Sequence, residues 1–372
     1  MIHQPAKRFE NIELSLIRQI NALATPQCVN LGIGEPNIEP DENLRQLAVE
    51  VAAKGSWHYT ANPGTISLRK LIAGDSGFEP NEVCVTAGTE EALFSIFQAY
   101  VDPGDEVLVP NPGFISYATL ARIAGATPVT YDLEPPDWRV DVDALLKKIT
   151  PKTKLIVVNS PSNPLGSVLD EETLRTIANA GPLVVSDEVY NEIWYDDPPP
   201  SMLGLSDNVI LVGGMSKSHS MTGLRLGWAI AAEAVMKPIV TAHQYVATCA
   251  SSFSQSLAEA IFMHPGFNRP WLEGMRAQFR KQRDAALAAI ERELEVTIPP
   301  PAGAFYAFVP APVCDTVTFA KTLATDAAVL VIPGVAFGSL GEGFIRISYA
   351  AKLDDINSGI GQIGRWLRAA GR

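Results

Sequence analysis

Between about residues 41 and 235, short apolar segments alternate with amphipathic segments. The apolar segments have the length and composition of buried strands: EVCVT, DEVLVP, TKLIVVN, PLVVSDE, NVILVGG and RLGWAIA. Amphipathic segments of helical spacing follow three of them: EEALFSIFQAYV, ISYATLARIAG and EETLRTIANAG. The alternation predicts an α/β domain with a mixed, mostly parallel sheet that is sandwiched between helices.

After residue 235 the pattern changes. Long helical segments appear first, EAVMKPIVTAHQYVATCASS and RAQFRKQRDAALAAIEREL, followed by short strand-like segments, GAFYAFV and FIRISYA, and a last helix around INSGIGQIGRWLRAA. The chain has 372 residues, which exceeds the size at which single hydrophobic cores usually stop growing. We therefore predict a large domain at residues 41–260 and a smaller α+β domain formed by residues 1–40 and 261–372.

Composition excludes several classes of function. The formal net charge of −12 argues against a nucleic-acid partner, because phosphate-backbone binding needs clustered lysine and arginine. No signal-peptide apolar region or long apolar run is present, so we expect a cytoplasmic protein without a membrane partner. The four cysteines form no C-x-x-C pair and the five histidines are scattered, so no metal site is predicted.

Polar and aromatic side chains follow the predicted strands at their carboxyl ends, where open α/β sheets bind ligands. These residues are Gly88, Thr89, Phe114, Asn163, Asp187, Tyr190 and Lys217. Gly88 and Thr89 would open a helix, whose free N–H groups favour a phosphate. Arg225, eight residues after Lys217, is a cation that could lower the pKa of that lysine. Together these groups suit pyridoxal phosphate.

Each residue has a purely structural alternative when it is considered alone. Gly88 and Thr89 could form only a helix cap, Phe114 could belong to the core and Asn163 to a turn. A lysine at the end of a strand is ordinarily exposed. The order of all these residues along one alternating sheet favours the binding site.

The segment GMSKSHSMTGLRLG resembles the lysine site of class I and II pyridoxal-phosphate aminotransferases of fold type I. The resemblance extends over nearly the whole chain through LGIGEPN, WHYTANPGTISLRK, NSPSNPLG, SDEVY and FIRIS, in the expected order. A dinucleotide fingerprint and a P-loop do not fit, because GIGEPN and GGMSKS lack the required glycines and spacing.

The resemblance implies a role for each matching residue. Lys217 would be the Schiff-base lysine and proton shuttle. Asp187 would pair with the pyridine nitrogen, Asn163 and Tyr190 would bind the ring O3′, and Phe114 would stack on the ring. The phosphate would be bound by Gly88, Thr89, Ser216 and Arg225, and by Tyr59 from the other subunit of a homodimer. Arg346 would bind the substrate α-carboxylate, which also lies near Gly34 and Asn163.

The sequence departs from the family pattern at two positions. Many relatives carry a hydroxyl residue three positions before the lysine, where this chain has Gly214. Some aspartate-using relatives carry a lysine that meets the distal carboxylate, where this chain has Glu90. Since two carboxylates repel each other, we do not expect aspartate or glutamate to be recognised through this position, although another arginine or lysine could replace the missing lysine.

The predicted reaction moves the amino group of an L-α-amino acid to a 2-oxo acid. A pyridoxal-phosphate-dependent C–S β-lyase or related elimination enzyme is the alternative, because it would use the same Lys217, Asp187 and Arg346. A regulator with an aminotransferase-like sensing module is disfavoured, since fewer than about 35 residues precede LGIGEP, too few for a winged helix, and the net charge is negative.

Overall fold

The computed structural model describes residues 4–10, 12–264 and 266–371. Within these residues the strands are β1 (Val29–Asn30), β2 (Val83–Thr86), β3 (Glu106–Asn111), β4 (Thr127–Glu134), β5 (Arg139–Val140), β6 (Thr153–Asn159), β7 (Leu183–Asp187), β8 (Val209–Gly214), β9 (Gly227–Ile230), β10 (Tyr306–Pro310), β11 (Val329–Leu330), β12 (Ile332–Pro333) and β13 (Phe344–Ser348). The α-helices are α1 (Leu16–Asn21), α2 (Glu42–Lys54), α3 (Ile66–Ala73), α4 (Thr89–Tyr100), α5 (Ile115–Ile123), α6 (Val142–Lys147), α7 (Glu171–Ala178), α8 (Met215–Ser218), α9 (Glu233–Ala247), α10 (Ser252–Phe262), α11 (Asn268–Leu294), α12 (Thr316–Asp326) and α13 (Leu353–Ala369).

The central sheet has eight strands in the order β2-β9-β8-β7-β6-β3-β4-β5. The pairs from β8 through β7, β6 and β3 to β4 are parallel, whereas β9 and β5 run antiparallel to their neighbours. The predicted mixed, mostly parallel sheet is thus confirmed. The register sets Asn159 beside Asp187 on neighbouring strands, so the ends of β6 and β7 present polar groups at one edge.

Both faces of this sheet are buried, which explains why its strands are continuous apolar segments. On β6, Leu155 and Val157 belong to one core cluster, while Ile156 and Val158 belong to a second. Burial of each such side chain contributes about 1.5–3 kcal/mol to folding. A sheet held from both sides is a rigid base for the side chains at its edge.

All six predicted strands of the sheet are present, but β4 and β5 were not predicted. Strand β4 begins with half-exposed residues and contains Pro128, so its apolar pattern is weak. The predicted helical segment at residues 233–252 forms one helix that ends five residues early, and helix α10, which follows it, was not predicted. Helix α9 ends at Ala247, where Thr248 adopts a φ of 65°, and α10 begins at Ser252.

The N-terminal segment lies against the C-terminal part of the chain. Strand β1 pairs with β11 in parallel, and β10, β13 and β12 form an antiparallel sheet. Helix α13 packs on the long helix α11. This pairing agrees with a small domain built from both termini, and its boundaries at residues 40 and 260 stay a prediction. None of the helices in the described part of the chain has the length and hydrophobicity needed to cross a membrane.

Candidate active site

A cavity of about 1070 Å³ lies at the carboxyl edge of β6, β7 and β8. Its walls include most of the predicted site residues: Gly34, Thr89, Phe114, Asn163, Asp187, Tyr190, Ser216, Lys217, Arg225 and Arg346. A second groove, of about 720 Å³, contains none of them. The cavity at the sheet edge is therefore the candidate active site.

Lys217 lies on α8, directly after the buried strand β8. Its Nζ donates a 2.6 Å hydrogen bond to the carbonyl oxygen of Gly34. Burial lowers the pKa of Lys217 to about 8, helped by the charges of Arg346 and Arg225 and opposed by Glu35 and Asp187. An amine with this pKa is partly neutral near pH 8, and a neutral amine can attack a carbonyl.

Asp187 ends β7 at the floor of the cavity and is 4% exposed. Tyr117 Oη donates to its Oδ2 at 2.8 Å, and the N–H of Val189 donates to its Oδ1 at 3.2 Å. Burial raises the pKa of Asp187 to about 6, although these hydrogen bonds oppose the increase. No lysine, arginine or histidine nitrogen in the described ranges comes within 4.0 Å of this carboxylate. A buried carboxylate without a cation is costly, and a protonated ring nitrogen of a ligand would supply the missing charge.

Arg346, on β13, is fully buried and held from several sides. It donates from Nη1 to Asn163 Oδ1 at 2.8 Å and from Nη2 to the carbonyl oxygen of Gly32 at 2.6 Å. The rings of Tyr306 and Phe337 lie 4.4 and 4.8 Å from the guanidinium carbon. Its Nε has no hydrogen-bond partner among the described residues. The guanidinium is therefore fixed in orientation and retains donor capacity for a carboxylate.

Tyr190 and Tyr306 form a pair behind the cavity. Their hydroxyl oxygens are 2.8 Å apart, and burial raises the pKa of both groups. A Cβ atom at Gly34 would lie 2.6 Å from Tyr306 Oη, so this close approach requires glycine at position 34. Gly34 is thereby fixed beside both Tyr306 and Lys217.

A candidate anion-binding site, formed by the first turn of α4 and Arg225, lies at the start of α4. Gly88 has a φ of +87°, and a Cβ atom there would lie 2.7 Å from Arg225 Nη2. The guanidinium of Arg225 therefore lies over the first turn of α4, which begins at Thr89. The first N–H groups of a helix have no partners within it, so this turn and Arg225 together favour a phosphate.

Ser216 and Phe114 also line the cavity, whereas Tyr59 does not. Ser216 is buried in α8, and the half-buried ring of Phe114 packs edge-on against Tyr117. Tyr59 is 86% exposed on the loop before α3.

Gly214 and Glu90 account for the two departures from the family pattern. A Cβ atom at Gly214 would lie 2.9 Å from the carbonyl oxygen of Leu226 and 3.1 Å from Thr89 Cγ2, so a hydroxyl side chain has no room there. Glu90 lines the cavity, and its pKa is raised by burial despite a hydrogen bond with Ser116 and the charge of Arg225. A carboxyl group, and not a lysine, therefore lies at this wall of the cavity.

Sequence analysis missed four residues that shape this site: Asn159, Tyr117, Tyr306 and Phe337. Asn159 accepts a 2.8 Å hydrogen bond from the N–H of Asn163 and donates a 2.9 Å hydrogen bond to the carbonyl oxygen of Asp187. Asn159 ends a predicted strand, so its position alone could have identified it. The aromatic residues come from distant elements and look like ordinary core positions in the sequence.

Comparisons with known proteins agree with this geometry. Residues 26–359 match the family model for aminotransferase class I and II. The chain is 36% identical to a probable aspartate aminotransferase of Methanocaldococcus jannaschii, over 96% of this chain and 98% of that protein. It is 32% identical to aromatic-amino-acid aminotransferase 2 of Thermococcus litoralis, over 97% of each.

The fold comparison gives the same result. The structure of aspartate aminotransferase from Thermus thermophilus with maleate superimposes with a TM-score of 0.92 at 30% identity, covering 98% of this chain and 100% of the other. No comparison supports the elimination alternative. The chain therefore belongs to the aminotransferase class I and II family.

Proposed function

We propose that this aminotransferase uses pyridoxal 5′-phosphate, attached to Lys217, to move an amino group from an L-α-amino acid to a 2-oxo acid. Enzymes of this family are generally dependent on this cofactor. The proposal is carried by two groups that lie in one cavity. Lys217 is an amine of lowered pKa, and Asp187 is a buried carboxylate with no cationic nitrogen within 4.0 Å among the described residues.

Different residues would hold different parts of the cofactor. Gly88, Thr89, Ser216 and Arg225 would bind the phosphate. Asp187 would pair with the ring nitrogen, Asn163 and Tyr190 would bind the ring hydroxyl, and Phe114 would stack on the ring. When bound, the cofactor accepts the electron pair left at the substrate Cα after its proton is removed.

The protein supplies binding, orientation and proton transfer. Arg346 and Asn163 bind the substrate α-carboxylate and so fix the position of its Cα. Lys217 Nζ, whose pKa is lowered to about 8, accepts the Cα proton and later returns it. The hydrogen bond to Gly34 holds the amine on the substrate side of the cavity. Tyr117 fixes the rotamer of Asp187, which keeps the ring nitrogen protonated.

We further propose a homodimer in which Tyr59 completes the phosphate site of the neighbouring chain. Trp57, Tyr59, Tyr245 and Val246 are 85%, 86%, 83% and 48% exposed. Their two segments adjoin, because Asn62 Nδ2 donates to the carbonyl oxygen of Thr248 at 2.7 Å and Ser252 Oγ donates to that of Ser56 at 3.0 Å. Exposed aromatic side chains grouped on one face support a protein interface there.

The relatives do not agree on one amino donor. Their names include aspartate, aromatic-amino-acid and N-acetyl-LL-diaminopimelate aminotransferases. Glu90 argues against recognition of a distal carboxylate at its position, but Arg18 also lines the cavity. We propose that the amino donor is a neutral, aromatic or cationic amino acid.

We also propose a cytoplasmic location, with which the four free cysteines agree.

Borohydride trapping tests the proposal directly. Protein incubated with pyridoxal phosphate should turn yellow, and reduction should add the cofactor mass to the peptide that contains Lys217. A panel of amino donors with a 2-oxo acid acceptor should then interconvert the aldehyde and amine absorbances. Colourless protein, or label on another lysine, would overturn the assignment. Release of ammonia without any acceptor would instead favour elimination.

A further inference from the structure

A second hydrogen-bond network, made by Glu91, His243 and Asn62, lies beside the candidate anion-binding site and does not line the cavity. His243, on α9, is completely buried. Its Nδ1 is 2.9 Å from Glu91 Oε2, and its Nε2 is 2.9 Å from the carbonyl oxygen of Asn62. Both ring nitrogens therefore contact oxygen atoms that accept hydrogen bonds.

The hydrogen bonds determine where the protons lie. A backbone carbonyl only accepts, so Nε2 of His243 carries a proton. Between Nδ1 and Glu91 Oε2 one proton must also be present. Glu91 additionally accepts from the N–H of Ala87 at 3.1 Å and from Ser95 Oγ at 2.6 Å, and it lies in the first turn of α4. These donors hold the carboxylate of Glu91 against the ring of His243.

The Cys84 thiol on β2 interacts with the charges of both Glu91 and Arg69. Burial, and then the charge of Glu91, raise the pKa of Cys84 to about 12, so that the thiol stays neutral. The buried ring of His243 is hydrogen-bonded at both nitrogens.

The two ends of the network hold two different parts of the proposed cofactor site. Glu91 folds back onto Ala87, the residue before Gly88 and Thr89. Asn62 lies three residues after Tyr59, in a loop that is also bound by Thr248 and by Gln255, whose Oε1 accepts from the N–H of Thr65 at 2.9 Å. His243 bridges the phosphate-binding turn and the Tyr59 loop.

We propose that His243, buried and hydrogen-bonded to both Glu91 and Asn62, is a positioning residue for the phosphate of the cofactor. Through Glu91 it fixes the turn that binds the phosphate of its own chain. Through Asn62 it fixes the loop whose Tyr59 serves the neighbouring chain. This inference rests on the proposed function, since it needs the phosphate and the dimer.

The test compares cofactors with and without a phosphate. We expect His243→Gln to weaken binding of pyridoxal phosphate about 10-fold while binding of pyridoxal, which lacks the phosphate, changes by less than about 2-fold. Glu91→Gln should act in the same direction. Equal weakening of both ligands, or no weakening, would overturn the proposal, because a general loss of packing does not single out the phosphate.

Tyr100→Phe is the matched control. Tyr100 Oη donates to the carbonyl oxygen of Val235 at 2.7 Å and so joins the region of α4 to α9, without contact to Ala87 or Asn62. It should leave the ratio of the two affinities unchanged. Wild-type protein that fails to bind pyridoxal phosphate at Lys217 would refute the proposed function itself, which separates the two failures.

A measurement on the wild-type protein covers the case that the variants do not fold. With ¹⁵N-labelled histidine, the N–H proton on Nε2 of His243 should exchange slowly with solvent, because the buried ring is hydrogen-bonded at both nitrogens. Replacement of each of the other histidines assigns the signal. Rapid exchange of this proton would overturn the bridging position of His243.

Discussion

Asp187 and Glu91 are two buried carboxylates near the same sheet edge, and they are satisfied in different ways. The Glu91 carboxylate is hydrogen-bonded with the ring of His243, the N–H of Ala87 and Ser95 Oγ. Asp187 has hydrogen bonds from Tyr117 and Val189 but no cationic nitrogen within 4.0 Å among the described residues. The hydrogen-bond partners of Glu91 all belong to the protein and hold neighbouring segments together. The charge of Asp187, in contrast, is left for a ligand to neutralise. An unpaired buried charge thus marks the functional position.

We expect the largest effect from replacement of Lys217, which lies in the same cavity as Asp187. Lys217→Ala removes both the attachment point and the base, so we expect kcat/KM for transamination to fall by at least about 10³-fold. Steady-state kinetics and mass spectrometry after borohydride reduction measure this. Lys152→Ala, at an exposed lysine, should change neither. Retained activity in Lys217→Ala would remove the basis of the mechanism.

Asp187→Asn sharpens the comparison because stability and activity should move in opposite directions. Since the folded-state pKa of Asp187 is raised from 3.8 to about 6, ionisation destabilises the folded protein as the pH rises through this window. The penalty is complete above about pH 6 and amounts to about 3 kcal/mol. We expect Asp187→Asn to stabilise the cofactor-free protein by up to this amount at pH 7, while activity falls about 10²-fold.

Denaturant unfolding of the cofactor-free protein at two pH values measures the gain. It should fall to roughly half at pH 5, where the wild-type carboxyl is largely protonated. The matched variant Glu91→Gln should instead lose stability at pH 7, because an amide cannot accept all the hydrogen bonds that the carboxylate makes with His243, Ala87 and Ser95. A gain for Glu91→Gln, or a loss for Asp187→Asn, would contradict the distinction between the two carboxylates.

Arg346→Lys tests whether the guanidinium of Arg346, whose Nε has no hydrogen-bond partner among the described residues, binds the substrate carboxylate. Lysine cannot keep the hydrogen bonds to both Asn163 and Gly32 and still bind a carboxylate in two places. We expect KM for the amino acid to rise about 10- to 100-fold, with a smaller change in kcat. An amine substrate that lacks the α-carboxylate should be affected much less. An equal effect on both substrates would argue that Arg346 supports the fold and does not bind the carboxylate.

Glu90→Lys is expected to have the smallest effect, on specificity. Reversing the charge at this wall should raise kcat/KM for aspartate relative to phenylalanine by about 10-fold. Glu13→Lys, at an exposed residue of the same cavity, is the control for a general change of charge. A wild-type preference for aspartate that Glu90→Lys diminishes would refute the assigned role of Glu90.

Much of the fold was predictable because the central strands are buried on both faces. Strands such as β6 and β8 are unbroken apolar segments with polar residues at their ends, and these patterns do not depend on the rest of the chain. Strand β4 lacks that pattern, because its exposed edge alternates with buried positions such as Tyr131 and Leu133. The end of α9 at Ala247 was missed because it depends on the backbone conformation of Thr248, which no apolar pattern shows.

By itself, the sequence determined the alternating architecture, the order of the polar residues at the strand ends and the resemblance carried by the Lys217 segment, since these are local patterns. Only the tertiary structure decided how those residues meet. It brought Gly34 and Arg346 from distant segments to Lys217, placed Tyr117 on Asp187, and buried His243 between Glu91 and Asn62. The physical reason is that pKa values and charge pairing depend on burial and on neighbours far apart in the chain, which no local pattern encodes.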